Sequence, residues 1–200
     1  MNSLPPTAEP ISAASATDYW VNQNDQQLLE HIGQGSKAAM TEFISRYYQR
    51  ILDFALRHVS HKADAEDIAQ EAFIRVWRKA QNWQDRDLPP HSWLYRIAYN
   101  LCIDQLRKRK PETDVDEHFE LSSDDSPEGN VYRQQKDTLL AAAFVTLSEA
   151  QRTAIVLCNY QGFSNRDAAS VMDITVEALE SLLARGRNKL RKQLCQTDSD

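Results

Sequence analysis

Arg96, Asn100, Ile103 and Arg107 recur at i, i+4, i+7 and i+11 in the stretch HSWLYRIAYNLCIDQLRKRK, with Trp93 and Tyr99 flanking them. At helical spacing these side chains share one face. Guanidinium groups neutralise phosphate, aromatic rings stack on bases and a carboxamide reads a base edge, so such a face suits unpaired nucleic acid. The same residues also fit an amphipathic helix whose Arg and Tyr side chains simply lie on its surface.

A second cluster lies in LSEAQRTAIVLCNYQGFSNRDAASVMDITVEALESLLARGRNKLRKQL. Ser148 with Gln151 reads as a capping box, Gly162 as the end of that helix, and Ser164 with Asp167 as the start of a short one. Asp173 and Ile174 make a tight turn, and Thr175 caps the helix that follows. Short helix, brief turn and longer helix form a helix-turn-helix, an arrangement that two packed helices with a basic tail also share. In the last helix Val176, Leu179, Leu183, Gly186 and Leu190 form the buried stripe. Glu177, Ala178, Ser181, Arg185, Asn188, Lys189 and Lys192 face away, short near the amino end and cationic later. That gradient suits a helix whose first turns meet base edges and whose later residues hold phosphates.

A third stretch, DAEDIAQEAFIRVWRKA, opens with Asp64 as its predicted N-cap and carries Ile68, Ala69, Ala72, Phe73, Val76 and Trp77 as an apolar stripe. Its other side presents Asp67, Gln70, Glu71, Ile74, Arg75 and Arg78, which on pattern alone is an ordinary solvated face.

Other chemistries find little support. His58 and His61 are three apart with no further clustered ligand, so they read as exposed helix-end histidines and no metal site is expected. Cys102, Cys158 and Cys195 share no CxxC spacing, so they read as inert thiols of a reducing compartment. With no nucleotide-binding loop and no catalytic constellation, neither an enzyme nor a cofactor is expected. The amino terminus has no cationic start followed by an apolar core, and no run nears the ~20 apolar residues of a membrane span, so a cytoplasmic protein is expected.

The elements that position these residues read as all-α: two small helical domains joined by a flexible acidic linker, the second a helix-turn-helix domain. Residues 1–24, rich in Pro, Ser, Ala and Thr, read as a disordered extension. A first domain spans 25–110, with its last helix running from about Ser92 to Lys110 on a core side of Leu94, Ile97, Ala98, Leu101 and Cys102. The linker spans 111–134, the second domain 135–194 and a tail 195–200. The net charge of −6 argues against an acidic partner such as DNA. Its distribution reverses that reading: residues 1–110 carry 14 basic and 13 acidic groups, 111–149 carry 2 and 10, and 150–200 carry 7 and 6. Each domain is near neutral and closes in a basic helix.

Taken together, these segments resemble the extracytoplasmic-function group of bacterial RNA polymerase sigma factors, over about Asp25 to Leu194. DAEDIAQEAFIRVWRK resembles the helix that docks on the coiled coil of the largest polymerase subunit, which implies core-polymerase contact by Asp67, Gln70, Glu71 and Arg75. HSWLYRIAYNLCIDQLRKRK resembles the part that melts and reads the minus-ten element, which implies Trp93, Arg96, Asn100, Asp104 and Arg107, with Asn100 holding a flipped-out base. The helix-turn-helix resembles the reader of the minus-thirty-five element and implies Ser164, Arg166, Ala178, Ser181, Arg185 and Arg187. Arg187 falls toward the buried side of the helical wheel, which favours a phosphate contact over base readout. The sequence has Asp173 where the family usually has Gly in the turn, Ala178 for a common Thr and Leu182 for a frequent Arg. The resemblance also implies core polymerase, including its flap, promoter DNA and an anti-sigma factor as partners. A free-standing helix-turn-helix repressor, the competing reading, would bind duplex DNA alone and would not require the helix around Trp93 and Asn100.

Overall fold

The computed structural model describes residues 19–59, 61–83, 88–109, 143–144 and 146–197. The proposed linker 111–134, the first 18 residues and the last three lie outside them. Among the described residues every regular element is helical. In chain order these are α1 (Asp25–Gly33), α2 (Lys37–Leu56), α3 (Lys62–Lys79), a 3₁₀ turn (Ala80–Asn82), α4 (Pro90–Arg109), α5 (Glu149–Ile155) running into a π turn (Val156–Tyr160), α6 (Asn165–Met172) and α7 (Val176–Thr197).

Local chemistry sets most boundaries. Asn24 and Gln27 form a reciprocal capping box at α1, Ser36 accepts from the Ala39 N–H at α2, and Ser148 with Gln151 caps α5 as expected. Gly162, at φ +74°, ends the π turn in a left-handed conformation. The exception is α3. His61, without a side-chain cap bond, precedes it, and Asp64 sits inside its first turn, accepting from Gln105 Nε2 at 3.2 Å. The carboxylate still favours the helix's positive end, but it ties α3 to α4 instead of capping.

The first four helices close around Phe43, Ile51, Phe54, Ile68, Phe73 and Leu94, and the last three around Ile155, Leu157, Val171, Leu179 and Leu183. These two groups belong to one continuous apolar core, because α4 lies along α6 and joins them. Trp77, expected in the buried stripe of α3, is 38% exposed and stands beside Ile74 on the outer face.

Two further boundaries move. Tyr19–Val21 form a helical turn, and Arg46 Nη2 donates to the carbonyls of Trp20 and Val21 at 3.0 and 2.9 Å, so the extension read as disordered to residue 24 is ordered from Tyr19. At the other end α7 runs to Thr197, so Cys195 lies in a helix and not in a tail.

Candidate nucleic-acid interface

The face of α4 read from the sequence is only partly free. Asn100, Asp104 and Arg107 are exposed, and Ile103 is half-buried beside them. Trp93 is half-buried, its ring 6.3 Å from that of Trp83. Arg96 donates through Nη2 to Asp173 Oδ1 at 3.0 Å, a residue in the turn of the helix-turn-helix. Tyr95 was missed: it is 2% exposed, its ring edge meets Phe54 at 5.4 Å and Phe163 at 4.8 Å, and its hydroxyl donates to Gln161 Oε1 at 2.6 Å. Burial pushes its phenol up, so it stays neutral. A readable signal existed, since Tyr95, Ala98 and Cys102 are spaced i, i+3, i+7 and all are buried.

The helix-turn-helix takes its expected form. Ser164 Oγ accepts from the Asp167 N–H at 3.1 Å and donates to its carboxylate at 2.6 Å, and Thr175 Oγ1 accepts from the Ala178 N–H at 3.2 Å. Asp173 holds the turn at φ 57°, ψ 46°, the left-handed region that Gly would enter at less cost. Asn165 Nδ2 donates to Glu180 Oε1 at 3.3 Å and fixes α6 against α7. Ser164, Arg166, Ala178, Ser181 and Arg185 are exposed, and Arg185 lies folded along its helix, donating to Ser181 Oγ at 2.8 Å. Arg187 is exposed as well, donating to Asn159 Oδ1 at 3.3 Å, which corrects its expected place toward the buried side. The wheel misplaced it because Gly186, the buried neighbour, sits at the edge of the stripe, where α5 crosses closely.

On α3, Asp67, Gln70, Ile74, Trp77 and Arg78 are exposed and Arg75 donates to Glu71 at 2.9 Å. This face is mixed in charge with two large apolar groups at its centre. His58 departs furthest from expectation: it is 1% exposed and not a surface residue, whereas His61 is exposed. The reason is tertiary, since α5 of the second domain covers it. Cys102 is buried, with its thiol pushed up by that burial, while Cys158 is half-buried and Cys195 exposed. Among the described residues no group of three His, Cys, Asp or Glu side chains could hold a metal, and no helix is long and apolar enough to cross a membrane.

Comparison with known proteins agrees with the order of these elements. Residues 43–112 match the family described as Sigma-70 region 2, and residues 138–190 match Sigma-70, region 4. The RNA polymerase sigma-H factor of Pseudomonas aeruginosa is 34% identical over 86% of this chain and 94% of its own length. The ECF RNA polymerase sigma factor SigW of Bacillus subtilis is 30% identical over 83% of this chain and 94% of its own. The chain belongs to the extracytoplasmic-function sigma factors of the sigma-70 family. The fold of this sigma factor is shared with CnrH, solved in complex with the cytosolic domain of CnrY, at TM-score 0.67 and 24% identity over 88% of this chain and 98% of that one. It is also shared with the sigma factor RpoE of Bartonella quintana, solved with the anti-sigma factor NepR, at TM-score 0.63 and 24% identity over 77% of this chain and 95% of that one. An RNA polymerase sigma factor is a regulator of transcription, and the two matched regions of this one carry the three faces built above, α3 and α4 in the first and the helix-turn-helix in the second.

Proposed function

We propose that this sigma factor docks on core RNA polymerase through α3, captures unpaired bases of the minus-ten element with α4, and reads the minus-thirty-five element with α6 and α7. The first domain extends from Tyr19 to about 110 and the second from about 135 to Thr197, joined through the acidic linker. Asp67, Gln70, Glu71 and Arg75 contact the coiled coil of the largest subunit, with Ile74 and Trp77 adding apolar area, and the second domain meets the flap. Trp93, Arg96, Asn100, Asp104 and Arg107 form the minus-ten surface. Ser164, Arg166, Ala178, Ser181, Arg185 and Arg187 form the minus-thirty-five surface. The chain contributes no catalytic group of its own and works in the cytoplasm, where polymerase and promoter meet. A fold relative solved with an anti-sigma factor, RpoE with NepR, supports control by such a factor.

The observation that carries the minus-ten assignment is the exposed row Asn100, Asp104 and Arg107 on a helix whose opposite side, Leu94, Tyr95, Ala98 and Cys102, is buried, with Trp83 and Trp93 close to each other at its start. Amide, carboxylate and cation on one face beside aromatic rings fit bases withdrawn from a duplex. Run-off transcription with reconstituted core polymerase on a pool of genomic fragments tests the function, and a specific start site is expected. Asn100→Ala should abolish strand opening in permanganate footprints while retaining core polymerase in a pull-down. Equal loss of both removes the assignment, and tight specific promoter binding without polymerase favours a repressor.

A further inference from the structure

Several contacts cross between the two halves of the molecule, and the deepest is buried. His58 follows α2, and its Nδ1–H donates to the Phe54 carbonyl at 2.7 Å, while Nε2 lies 2.9 Å from Thr153 Oγ1 on α5. One ring nitrogen is thus fastened to the first domain and the other reaches into the second. Around it the Arg57 guanidinium lies 4.1 Å over the Tyr160 ring, Tyr95 bonds Gln161, and Arg96 bonds Asp173. All four pairs join a residue of the first domain to one of the second, and the last engages a residue of the proposed minus-ten face.

We propose that neutral His58 latches the two domains together at their interface and that the latch opens when that ring gains a proton. The latch itself rests only on the contacts.

Hydrogen bonding accepts either form of the ring. A neutral His58 takes the Thr153 proton at Nε2. A charged one gives its own proton to Oγ1 and turns the Thr153 hydroxyl to the Glu149 carbonyl, 3.0 Å away. Burial beside positive charge decides against the charged form. Arg57 stands next to the ring and Arg152 faces it from α5, with Glu149 near Arg152. The Phe54 ring, 4.4 Å from the imidazole, is itself packed against neutral Tyr95 of α4, near which α2 places Arg50 and Asp53 with opposite signs. Desolvation first, then Arg152 and Arg57, hold the ring down to about 4 against the opposing bond to Phe54. Parting the domains returns the ring to water and to its ordinary value near 6.5. The open state therefore binds the proton more tightly. Closure keeps its full advantage above about pH 6.5 and loses it progressively as pH falls toward 4, with the open-to-closed ratio rising about tenfold between pH 7.5 and 5.5.

Small-angle X-ray scattering of the full chain across that pH range tests the latch, with circular dichroism confirming that the helices persist. The wild type should expand as pH falls. His58→Gln, which keeps a donor and an acceptor but does not titrate, should show no acid expansion. Absence of expansion in the wild type, or equal expansion in His58→Gln, overturns the latch. Should His58→Gln fail to fold, the wild-type ring is followed by NMR: titration near 4 with domain opening supports the latch, and titration near 6.5 with the domains still closed overturns it. Run-off transcription separates the two readings. A chain that opens in acid but directs no transcription keeps the latch and loses the promoter reading, and one that directs transcription without opening in acid loses the latch alone.

Discussion

Arg96 and Asp173, 77 positions apart in sequence, meet at 3.0 Å and join the proposed minus-ten face to the turn of the helix-turn-helix. The pair is solvent-exposed on the Asp173 side, so its direct worth is about 0–1 kcal/mol. Its weight lies in position: the guanidinium that a promoter phosphate would engage is already engaged by the chain's own second domain.

Replacing Asp173 separates two effects that the wild type combines. At φ 57° the residue sits in a conformation that costs a non-glycine residue roughly 1 kcal/mol. Asp173→Gly should therefore hold or raise thermal stability while loosening domain closure, seen as a larger radius of gyration. Asp173→Val should lower stability by about 1–2 kcal/mol, since a β-branched side chain does not enter that region without strain. A melting temperature that falls as far in the Gly variant as in the Val variant would contradict the backbone account.

Most of the local structure was legible in the sequence, because capping and turn residues act over three or four positions. Ser148 with Gln151, Thr175, Gly162 and the Asp173 turn are all as read. What sequence reading missed at His58, Tyr95 and Arg96 shares one physical cause. Each touches a residue of the other domain, and a helical wheel describes a helix against an unspecified surface. A wheel places Arg96 outward correctly, yet cannot know that α6 is what lies outside. Trp77 errs in the opposite direction: an aromatic at stripe spacing reads as core, but the neighbours that would cover it are absent on that side of α3.

Two glycines make contrasting predictions about close packing. A Cβ on Gly33 would lie 2.9 Å from the Ala80 carbonyl oxygen and 3.2 Å from the Gln81 Cα, all backbone of the 3₁₀ turn. Gly33→Ala gains helix propensity but must push α1 off that turn, so a net loss of about 1–3 kcal/mol is expected in urea denaturation. A Cβ on Gly186 would meet the Ile155 Cδ1 at 2.8 Å, the movable end of a side chain. Gly186→Ala should therefore fall within about 1 kcal/mol of wild type, because rotation of Ile155 offsets much of the ~1 kcal/mol propensity gain. Equal, large losses in both variants would mean that Ile155 has no room to move.

Arg185 is held along α7 by Ser181, with bonds of 2.8 Å to the hydroxyl and 3.3 Å to the carbonyl. Swinging into a major groove requires giving these up, so the contact it makes there must exceed two exposed hydrogen bonds. Arg185→Ala should weaken promoter binding by the polymerase holoenzyme by about 1–3 kcal/mol, roughly 5- to 150-fold, with the loss confined to the minus-thirty-five footprint. An unchanged footprint and unchanged transcription would take Arg185 out of the interface. Ser181→Ala removes the shorter of these bonds and leaves the one to the backbone carbonyl, so it should broaden sequence preference more than it lowers affinity.

Trp77 offers the sharpest division between stability and partner binding. Its indole is 38% exposed, next to Ile74 at 43%, on the face that also carries the Glu71–Arg75 pair. The indole is covered on its inner side but lies outside the central core, so Trp77→Ala should lower folding stability by about 1–2 kcal/mol and leave the protein folded. A large aromatic at the centre of a charged rim is the usual anchor of a protein interface, and its removal typically costs about 2 kcal/mol or more, near thirtyfold in affinity. Core-polymerase binding measured by fluorescence anisotropy should weaken by that amount in Trp77→Ala, whereas Arg78→Ala at the rim should respond mainly through its salt dependence. Unaltered polymerase affinity in a normally folded Trp77→Ala protein would move the docking surface off this face of α3.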